Sequence, residues 1–303
     1  HGYSQNLTNE GTDFWVAFPE VRDNTTAIFE INISSRTAAS GTVSIAGGSG
    51  FSTPFTVTPG VVTTITIPPA DAHNPFSEII IDRAIHVTSD NPVTVYASTF
   101  HLYRSEASVC LPVPSLGSNY MVTTYPTKNI SGTNWESEFV VVCGTDPCEV
   151  EIITTATTEG GVPAGTPIIV NLNPGEMYQV QTASVDGLDM TGSTVKATNG
   201  TDKFVVFNGH RWTHLQTPGC SSGTADPLYE IAYPTPSWGL EYIALLTEDQ
   251  SVNLIRVTAL QNATDVLVEG VLVATLDAGE YYDGTITAEA TFIESTKPTC
   301  VTQ

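Results

Sequence analysis

Cysteine spacing is the first feature of this chain that could support chemistry. Cys143 and Cys148 lie on either side of a four-residue turn signal. Two thiols that face each other across a hairpin can meet disulfide geometry, so the sequence predicts a Cys143–Cys148 bridge. A zinc half-site is the alternative, but no second pair of Cys or His residues with ligand spacing accompanies it. Such a bridge indicates an oxidising compartment.

The other three cysteines have no partner close in sequence. Cys110 and Cys220 could pair between two distant segments of the chain. That pairing would leave Cys300 for a partner elsewhere, and spacing alone does not decide between these alternatives.

Residues 210–214 contain the second candidate for chemistry. His210 and His214 are four residues apart, which is a metal-ligand spacing on a helix. The surrounding sequence is typical of strand and loop, so a solvated loop is the favoured alternative. Arg211 and Trp212 lie between them and are residue types common in recognition hot spots. We therefore predict that His210, Arg211, Trp212 and His214 form a binding surface, with a Trp that fills a module junction as the alternative.

Charge limits the possible partners and cofactors. The chain has 32 acidic and 10 basic residues, for a net charge of −22, which argues against binding nucleic acid. The densest acidic segments, 186–189 and 247–249, lack a calcium-loop pattern, so turn capping by Asp is the expected role. We predict no cofactor, and calcium at a module interface is the open alternative.

Catalytic motifs are missing from the sequence. It has no Gly-x-Ser-x-Gly elbow and no cysteine in an evidently electropositive context. The sequence therefore predicts a protein that is not an enzyme.

An internal repeat predicts the architecture. The ten residues 111–120 and the ten residues 233–242 share two prolines, a serine, a glycine and a tyrosine at one constant offset. Such self-similarity indicates repeated modules. The residues that we expect at the module joints are Trp15, Pro114, Gly117, Tyr120, Pro236, Trp238, Gly239 and Tyr242.

Strand patterns recur between these joints. Short apolar runs alternate with Thr and Ser, Gly turns separate them, and no window has a sustained helical period. We predict an all-β fold of three sandwich-like modules, residues 1–118, 119–240 and a shorter 241–303. A β-propeller is the alternative. No stretch is long and apolar enough for a membrane helix, so we expect no membrane insertion.

Several of these motifs resemble one known family. The segment from Gly11 to Pro19, the repeated Pro-Ser-x-Gly-x-x-Tyr motif, the Asn-Pro-Gly-Glu turn near Gly175, and residues 189–193 are similar to the IgG Fc-binding protein amino-terminal domain. The resemblance covers most of the chain. It implies a secreted, non-enzymatic adhesion module of the cell surface, of the type found in bacterial secreted and surface proteins.

The resemblance also bears on Cys220. Family members commonly carry a cysteine shortly after the Phe-x-Gly stretch, paired with one near Cys220, whereas in this chain Phe207-Asn-Gly209 leads into His210. That departure leaves Cys220 free to pair with Cys110. The expected partner is a protein or glycan ligand, and the alternative is self-association as a structural subunit of an extracellular fibre.

Overall fold

The computed structural model describes residues 8–23, 25–45, 47, 50–215 and 225–303. Strands dominate these residues, which confirms the predicted all-β class. The helical elements are a short α-helix, α1 (Pro69–Ala72), and two 3-10 helices, Val113–Ser115 and Thr235–Ser237. Within the described ranges, no helix is long and apolar enough to cross a membrane.

The strands divide among the three predicted modules. The first module contains β1 (Glu10–Val16), β2 (Ile28–Ser34), β3 (Ala39–Ile45), β4 (Ser52–Val57), β5 (Thr63–Ile67), β6 (Ile80–Ile81), β7 (Ile85–His101) and β8 (Arg104–Val109). The second contains β9 (Asn119–Met121), β10 (Lys128–Ile130), β11 (Thr133–Trp135), β12 (Ser137–Cys143), β13 (Cys148–Ile153), β14 (Pro167–Leu172), β15 (Met177–Gln181), β16 (Thr194–Ala197), β17 (Phe204–Thr213) and β18 (Asp226–Ile231). The third contains β19 (Gly239–Leu245), β20 (Asn253–Ala259), β21 (Thr264–Val268), β22 (Val271–Leu276), β23 (Tyr281–Ile286) and β24 (Ala290–Thr302).

One pairing scheme occurs in all three segments. In the first, β7 pairs with β1, β2 and β3, while β2 also pairs with β5 and β3 with β4. In the third, β24 pairs in the same way with β19, β20 and β21, and the outer strands are β23 and β22. In the second, two strands share the role of β7, because β16 pairs with β9 and β13 whereas β17 pairs with β12. The boundaries of the three modules remain a prediction.

A bulge explains why the long strand is split only in the second module. Between Gly11 and Asp13 the pairing moves from Val93 to Thr88 on β7, across the Ser-x-x-Pro segment. The same shift occurs between β19 and β24. In the second module the corresponding segment lacks the proline and forms a longer turn around Gly200, whose φ is +75°. A bulge of this size keeps one strand continuous, whereas the longer turn divides it.

β18, β17, β12, β15 and β6 form one sheet, and its strands β12 and β15 are buried on both faces. Alternate residues of a strand point to opposite faces of the sheet. Val140 and Val142 of β12 join the hydrophobic core of the first module. Phe139 and Val141 join the core of the second. The first two modules therefore stack as layers on one shared sheet, whereas the third has a separate apolar cluster.

Two segments that lie outside the shared pairing scheme, one in each module, reinforce the contact between the first two modules. The segment around α1 and β6 extends from the first module and pairs with β15. Its Glu78 accepts hydrogen bonds from the Thr158 hydroxyl, at 2.8 Å, and from the Gly160 amide, both in the segment of the second module. The two segments are thus structural parts of the same contact.

The repeated glycine and tyrosine form the same anchor twice. The Gly117 amide donates to the Tyr120 hydroxyl at 2.8 Å, and this hydroxyl donates to the Phe204 carbonyl at 2.7 Å. In the third module the Gly239 amide donates to the Tyr242 hydroxyl at 2.8 Å, and this hydroxyl donates to a carbonyl of β24. Each hydroxyl satisfies two backbone groups that the bulged ladder would leave unpaired.

The prolines at the joints differ from those predicted. Pro114 and Pro236 are exposed in the 3-10 helices. The buried contacts are made two residues earlier, where a Cβ on Gly117 would lie 2.6 Å from the Cβ of Pro234, and Pro112 lies against Gly11 in the same way. Each glycine therefore allows the linker to pass close to the strand. Among the other joint residues, Trp15 and Trp238 are buried.

Arg256 holds the joint between the second and third modules. It is buried and makes a bidentate ion pair with Asp283, with both distances 2.7 Å. From the second module, Asp189 lies 2.9 Å away and the ring of Tyr125 lies 4.1 Å from the guanidinium carbon. A buried charge needs such pairing, so this joint is centred on a polar group.

The described cysteines are free thiols in the structure. Cys143 and Cys148 are both buried, and the contact with Cys143 together with burial raises the pKa of Cys148. The predicted bridge between them is not formed in the structure and stays a prediction. Cys110 is also free and buried, and burial raises the pKa of Cys300 to about 12. The Cys110–Cys220 pairing concerns a residue outside the described ranges.

Replacing the two anchor tyrosines by Phe tests the repeated hydrogen bonds. Tyr120→Phe should lower the free energy of unfolding by about 1 to 2 kcal/mol, because it leaves a buried carbonyl and an amide unpaired. Tyr242→Phe should cost less, since its ring is only partly buried. Urea unfolding followed by circular dichroism measures both. Tyr103→Phe, which removes an exposed hydroxyl, is the control, and an equal effect of all three variants would contradict the anchor role.

Candidate binding surface

His210 lies in the interior, so its predicted contact with a ligand is wrong. It sits on β17 opposite Ser137 of β12 and is fully buried. Its Nε2 lies 3.0 Å from the carbonyl oxygen of Pro126, and its Nδ1 accepts a hydrogen bond from the Trp212 amide. Burial lowers the pKa of His210 to about 4, so the ring is neutral at physiological pH. The side chain supports the backbone of its neighbours.

Arg211 is largely committed to internal ion pairs. Its guanidinium donates to Glu20 at 2.9 Å and also to Glu136. Burial alone would lower the pKa of Arg211, but these two carboxylates raise it overall. Behind them, burial and the charge of Glu20 raise the pKa of Glu138 well above its usual value, while the Gln181 amide bridges Glu20 and Glu138. Arg211 is thus the counter-charge for a buried acidic group.

Trp212 packs among aromatic and cationic side chains near the surface. Its ring meets Trp135 edge-on, with 5.3 Å between the ring centroids. The guanidinium carbon of Arg22 lies 4.0 Å from the centroid of the Trp212 ring, and that of Arg104 lies 5.3 Å from it. All three side chains line one small pocket. The indole Nε1 donates to the Ala225 carbonyl at 2.7 Å. Cation–π contacts of this kind order both partners.

A hairpin tip extends this cluster into solvent. Leu102 and Tyr103 form the turn between β7 and β8, directly before Arg104. Tyr103 is 94% exposed, and Leu102 is exposed with a φ of +47°. Exposed side chains of this size are common at recognition sites. We call Arg22, Leu102, Tyr103, Arg104, Trp135 and Trp212 the Arg–Trp surface.

The sequence pointed to only one member of the Arg–Trp surface, Trp212. The others come from segments as far apart as Arg22 and Trp135, and only the packing of the loop after β1 and the β10–β11 hairpin on β17 brings them together. The small number of basic residues in the sequence was a signal that could have pointed to these arginines. Arg22, Arg104 and Arg211 are three of only ten basic residues in the chain.

His214 lines a separate cleft of about 380 Å³ between the second and third modules. This cleft also contains Lys128, Tyr281 and the Arg256–Asp283 pair. His214 is therefore away from the Arg–Trp surface, although it is four residues from His210. The spacing of the two histidines brings them to different environments because they lie on and beyond the end of a strand, not on a helix.

A cleft with a volume of about 690 Å³ borders all three modules. Glu106, Glu230, Tyr233, Trp238 and Cys300 are among its lining residues. Burial, followed by the charges of Asp226 and Glu230, raises the pKa of Glu106 to about 8. Burial also raises the pKa of Glu230. These carboxyls bind protons more tightly in the folded chain than in the unfolded chain.

Of the two acidic segments singled out in the sequence, residues 186–189 have structural roles. Asp189 pairs with Arg256, and the Asp186 carboxylate accepts a hydrogen bond from the Asn129 amide at 2.7 Å. In the described part of the chain, no group of three or more His, Cys, Asp or Glu side chains is placed to hold a metal ion. Calcium at a module interface stays an untested hypothesis.

Two comparisons with known proteins give a match. The family model described as "IgGFc binding protein" matches residues 106–303. The human "IgGFc-binding protein" is 28% identical over 179 residues, which cover 57% of this chain and 3% of the human protein. The chain thus spans a small part of that relative's length. No solved structure matches this chain.

Glu106 should make stability depend on pH. Its pKa rises from 4.5 to about 8 on folding, so its contribution is complete below pH 4.5 and is lost as pH rises through 8. Between about pH 6.5 and 8 the free energy of unfolding should fall by up to about 1.4 kcal/mol per pH unit. Glu106→Gln should flatten this slope, because the amide stays neutral. Below that range the unfolded-state protonation of His210 acts in the opposite direction.

Urea unfolding at several pH values measures this slope. Glu241→Gln, which replaces an exposed carboxylate on β19, is the control and should keep the wild-type slope. Glu230 also has a raised pKa, so some slope should persist in Glu106→Gln. An unchanged slope in Glu106→Gln would show that this carboxyl is already ionised in the folded chain.

Proposed function

Because the chain belongs to the IgGFc binding protein family, we propose that it is an extracellular, non-enzymatic module that binds a protein ligand through the Arg–Trp surface. The relative's printed name attributes binding of the IgG Fc part to the human protein. For this chain, the ligand, secretion and a place on a bacterial cell surface are all parts of the proposal.

The convergence around Trp212 is the observation that carries this proposal. Two indoles and two arginines pack together next to the exposed side chains of Leu102 and Tyr103. Trp, Tyr and Arg are the residues most enriched in hot spots of protein interfaces. Their internal contacts fix their orientation, so less conformational entropy is lost when a ligand binds.

Charge supports a protein ligand with a mixed surface. Arg104 is already paired with Asp23 at 2.7 Å, so the surface combines apolar rings with balanced charges. Neutral, aromatic-rich surfaces are typical of the centres of protein interfaces, where charged residues are depleted. A glycan ligand is the alternative and is an outcome of the test below. A structural fibre subunit is the second candidate function, and the exposed apolar side chains of β19 favour it.

Binding to immobilised human IgG Fc tests the proposal, because the relative's name supplies this probe. Tyr103→Ala and Arg22→Ala should each weaken binding about tenfold or more, as expected for hot-spot side chains. Tyr103 is almost fully exposed, so Tyr103→Ala should leave thermal unfolding unchanged, whereas Arg22→Ala removes the stack on Trp212 and should lower stability slightly. Surface plasmon resonance and circular dichroism provide the two readouts.

The control is Ile169→Ala, an exposed side chain on β14 of the second module, which should bind like the wild type. Trp212→Ala should weaken binding but also lower stability, since its ring packs on Trp135. Binding to a mucin-type glycan array but not to Fc would contradict the proposed protein ligand. Unchanged Fc affinity in Tyr103→Ala would contradict the proposed binding surface.

A further inference from the structure

The outer face of β19 is apolar and exposed. Ile243 and Leu245 point away from the core of the third module and are 67% and 60% exposed. Phe292 of β24 lies directly opposite Ile243 and is also exposed. Soluble proteins rarely leave neighbouring large apolar side chains in water unless another surface covers them.

The corresponding positions in the first two modules are buried. Ile243 follows the anchor ring Tyr242 in the same register as Trp15 follows Phe14 and Met121 follows Tyr120. Trp15 and Met121 are each only 5% exposed. Two residues further on, the same comparison aligns exposed Leu245 with buried Ala17 and Thr123.

The following module covers these positions in each case. The indole of Trp15 lies against Gly144, and the Tyr229 hydroxyl donates to the Ala17 carbonyl at 3.0 Å. In the second module, the Thr123 hydroxyl lies 3.5 Å from the Thr258 hydroxyl of the third. The strand that carries the anchor ring thus receives the sheet face of the next module.

The first module has a sheet face that corresponds to the covering face of the second module, but among the described residues no other module packs on it. In the second module this face includes Met177 and Phe207, which belong to the core of the first module. The register aligns Tyr96 with Phe207, and Val62, directly before β5, with Met177. Both side chains are exposed, and Tyr96 also lines the cleft that borders all three modules. The chain therefore displays both halves of a junction that it uses internally.

We propose that the apolar face of β19 binds the first module of a second molecule of this chain, head to tail. Such a contact joins two different surfaces, so it can repeat and build an open chain of molecules. It should be weaker than the internal junction, because Asn32 and Ser34 occupy the positions of Val140 and Val142. The net charge of −22 should oppose it at low salt.

Sedimentation velocity over a range of protein concentrations tests the proposal. Association should appear or strengthen at about 1 M NaCl, where the screening length is about 3 Å. Ile243→Asp should weaken it at least about tenfold, because the contact would bury an unpaired carboxylate. The double variant Asn32→Val with Ser34→Val should strengthen it. Ile169→Asp, an exposed site on β14, is the matched control.

Mixing two blocked variants establishes the direction of the contact. Ile243→Asp blocks one half of the junction and Tyr96→Asp blocks the other, so each alone should stay monomeric. Together they should form dimers and nothing larger, because one intact half remains on each variant. A monomer at every concentration and salt would overturn the proposal. So would association that Ile243→Asp abolishes but Tyr96→Asp leaves unchanged, since that pattern belongs to a symmetric dimer.

This test is separate from that of the Arg–Trp surface. Neither Ile243 nor Tyr96 belongs to that surface, so Fc binding by the blocked variants should equal that of the wild type. Failure of the Fc experiment therefore leaves the sedimentation result interpretable, and the reverse also holds.

Discussion

The structure depends on a sheet that must be apolar on both faces. β12 has every residue from Ser137 to Cys143 buried, and its side chains alternate between the cores of the first and second modules. Burying both faces removes far more apolar area from water than a one-sided sheet does. The first two modules are for this reason parts of one packing unit, and β17 of the same sheet supplies the backbone that positions Arg211 and Trp212.

Polar groups in this layer are tolerated because they are paired. Glu20 and Glu136 share Arg211, and Gln181 bridges Glu20 to Glu138. Burial, followed by the charge of Glu20, raises the pKa of Glu138 well above its usual value, because the charged form is disfavoured away from water. Two of the ten basic residues of the chain, the half-buried Arg211 and the buried Arg256, have defined tasks. Arg211 neutralises the layer, and Arg256 joins the second and third modules.

The second module contacts the first and the third through different kinds of side chain. The first junction has an apolar part, in which Phe18 packs on Tyr229 at 5.5 Å between ring centroids, and a polar part, in which Arg211 and Gln181 pair with Glu20. The second is polar and centred on Arg256. The pairing scheme is common to all three segments, so these differences lie in the outward-facing side chains and in the two segments that join the first two modules. The exposed Ile243 and Leu245 resemble the apolar part of the first junction, and this likeness is the basis for the proposed contact between molecules.

Local pattern was enough to predict the strand-rich class and the repeat, since alternation and turn residues act over a few positions along the chain. It singled out Gly117, Tyr120, Gly239 and Tyr242 as joint residues, but their hydrogen bonds were seen only in the structure. Sequence pattern did not reveal that two modules share a sheet, because that depends on which core each face of β12 meets. It also selected His210, which burial removes from the surface, and missed Arg22, Leu102, Tyr103, Arg104 and Trp135. Those residues are brought to Trp212 by contacts between segments far apart in sequence. Long-range packing of this kind is decided by the whole fold, in which burial and charge pairing are determined together.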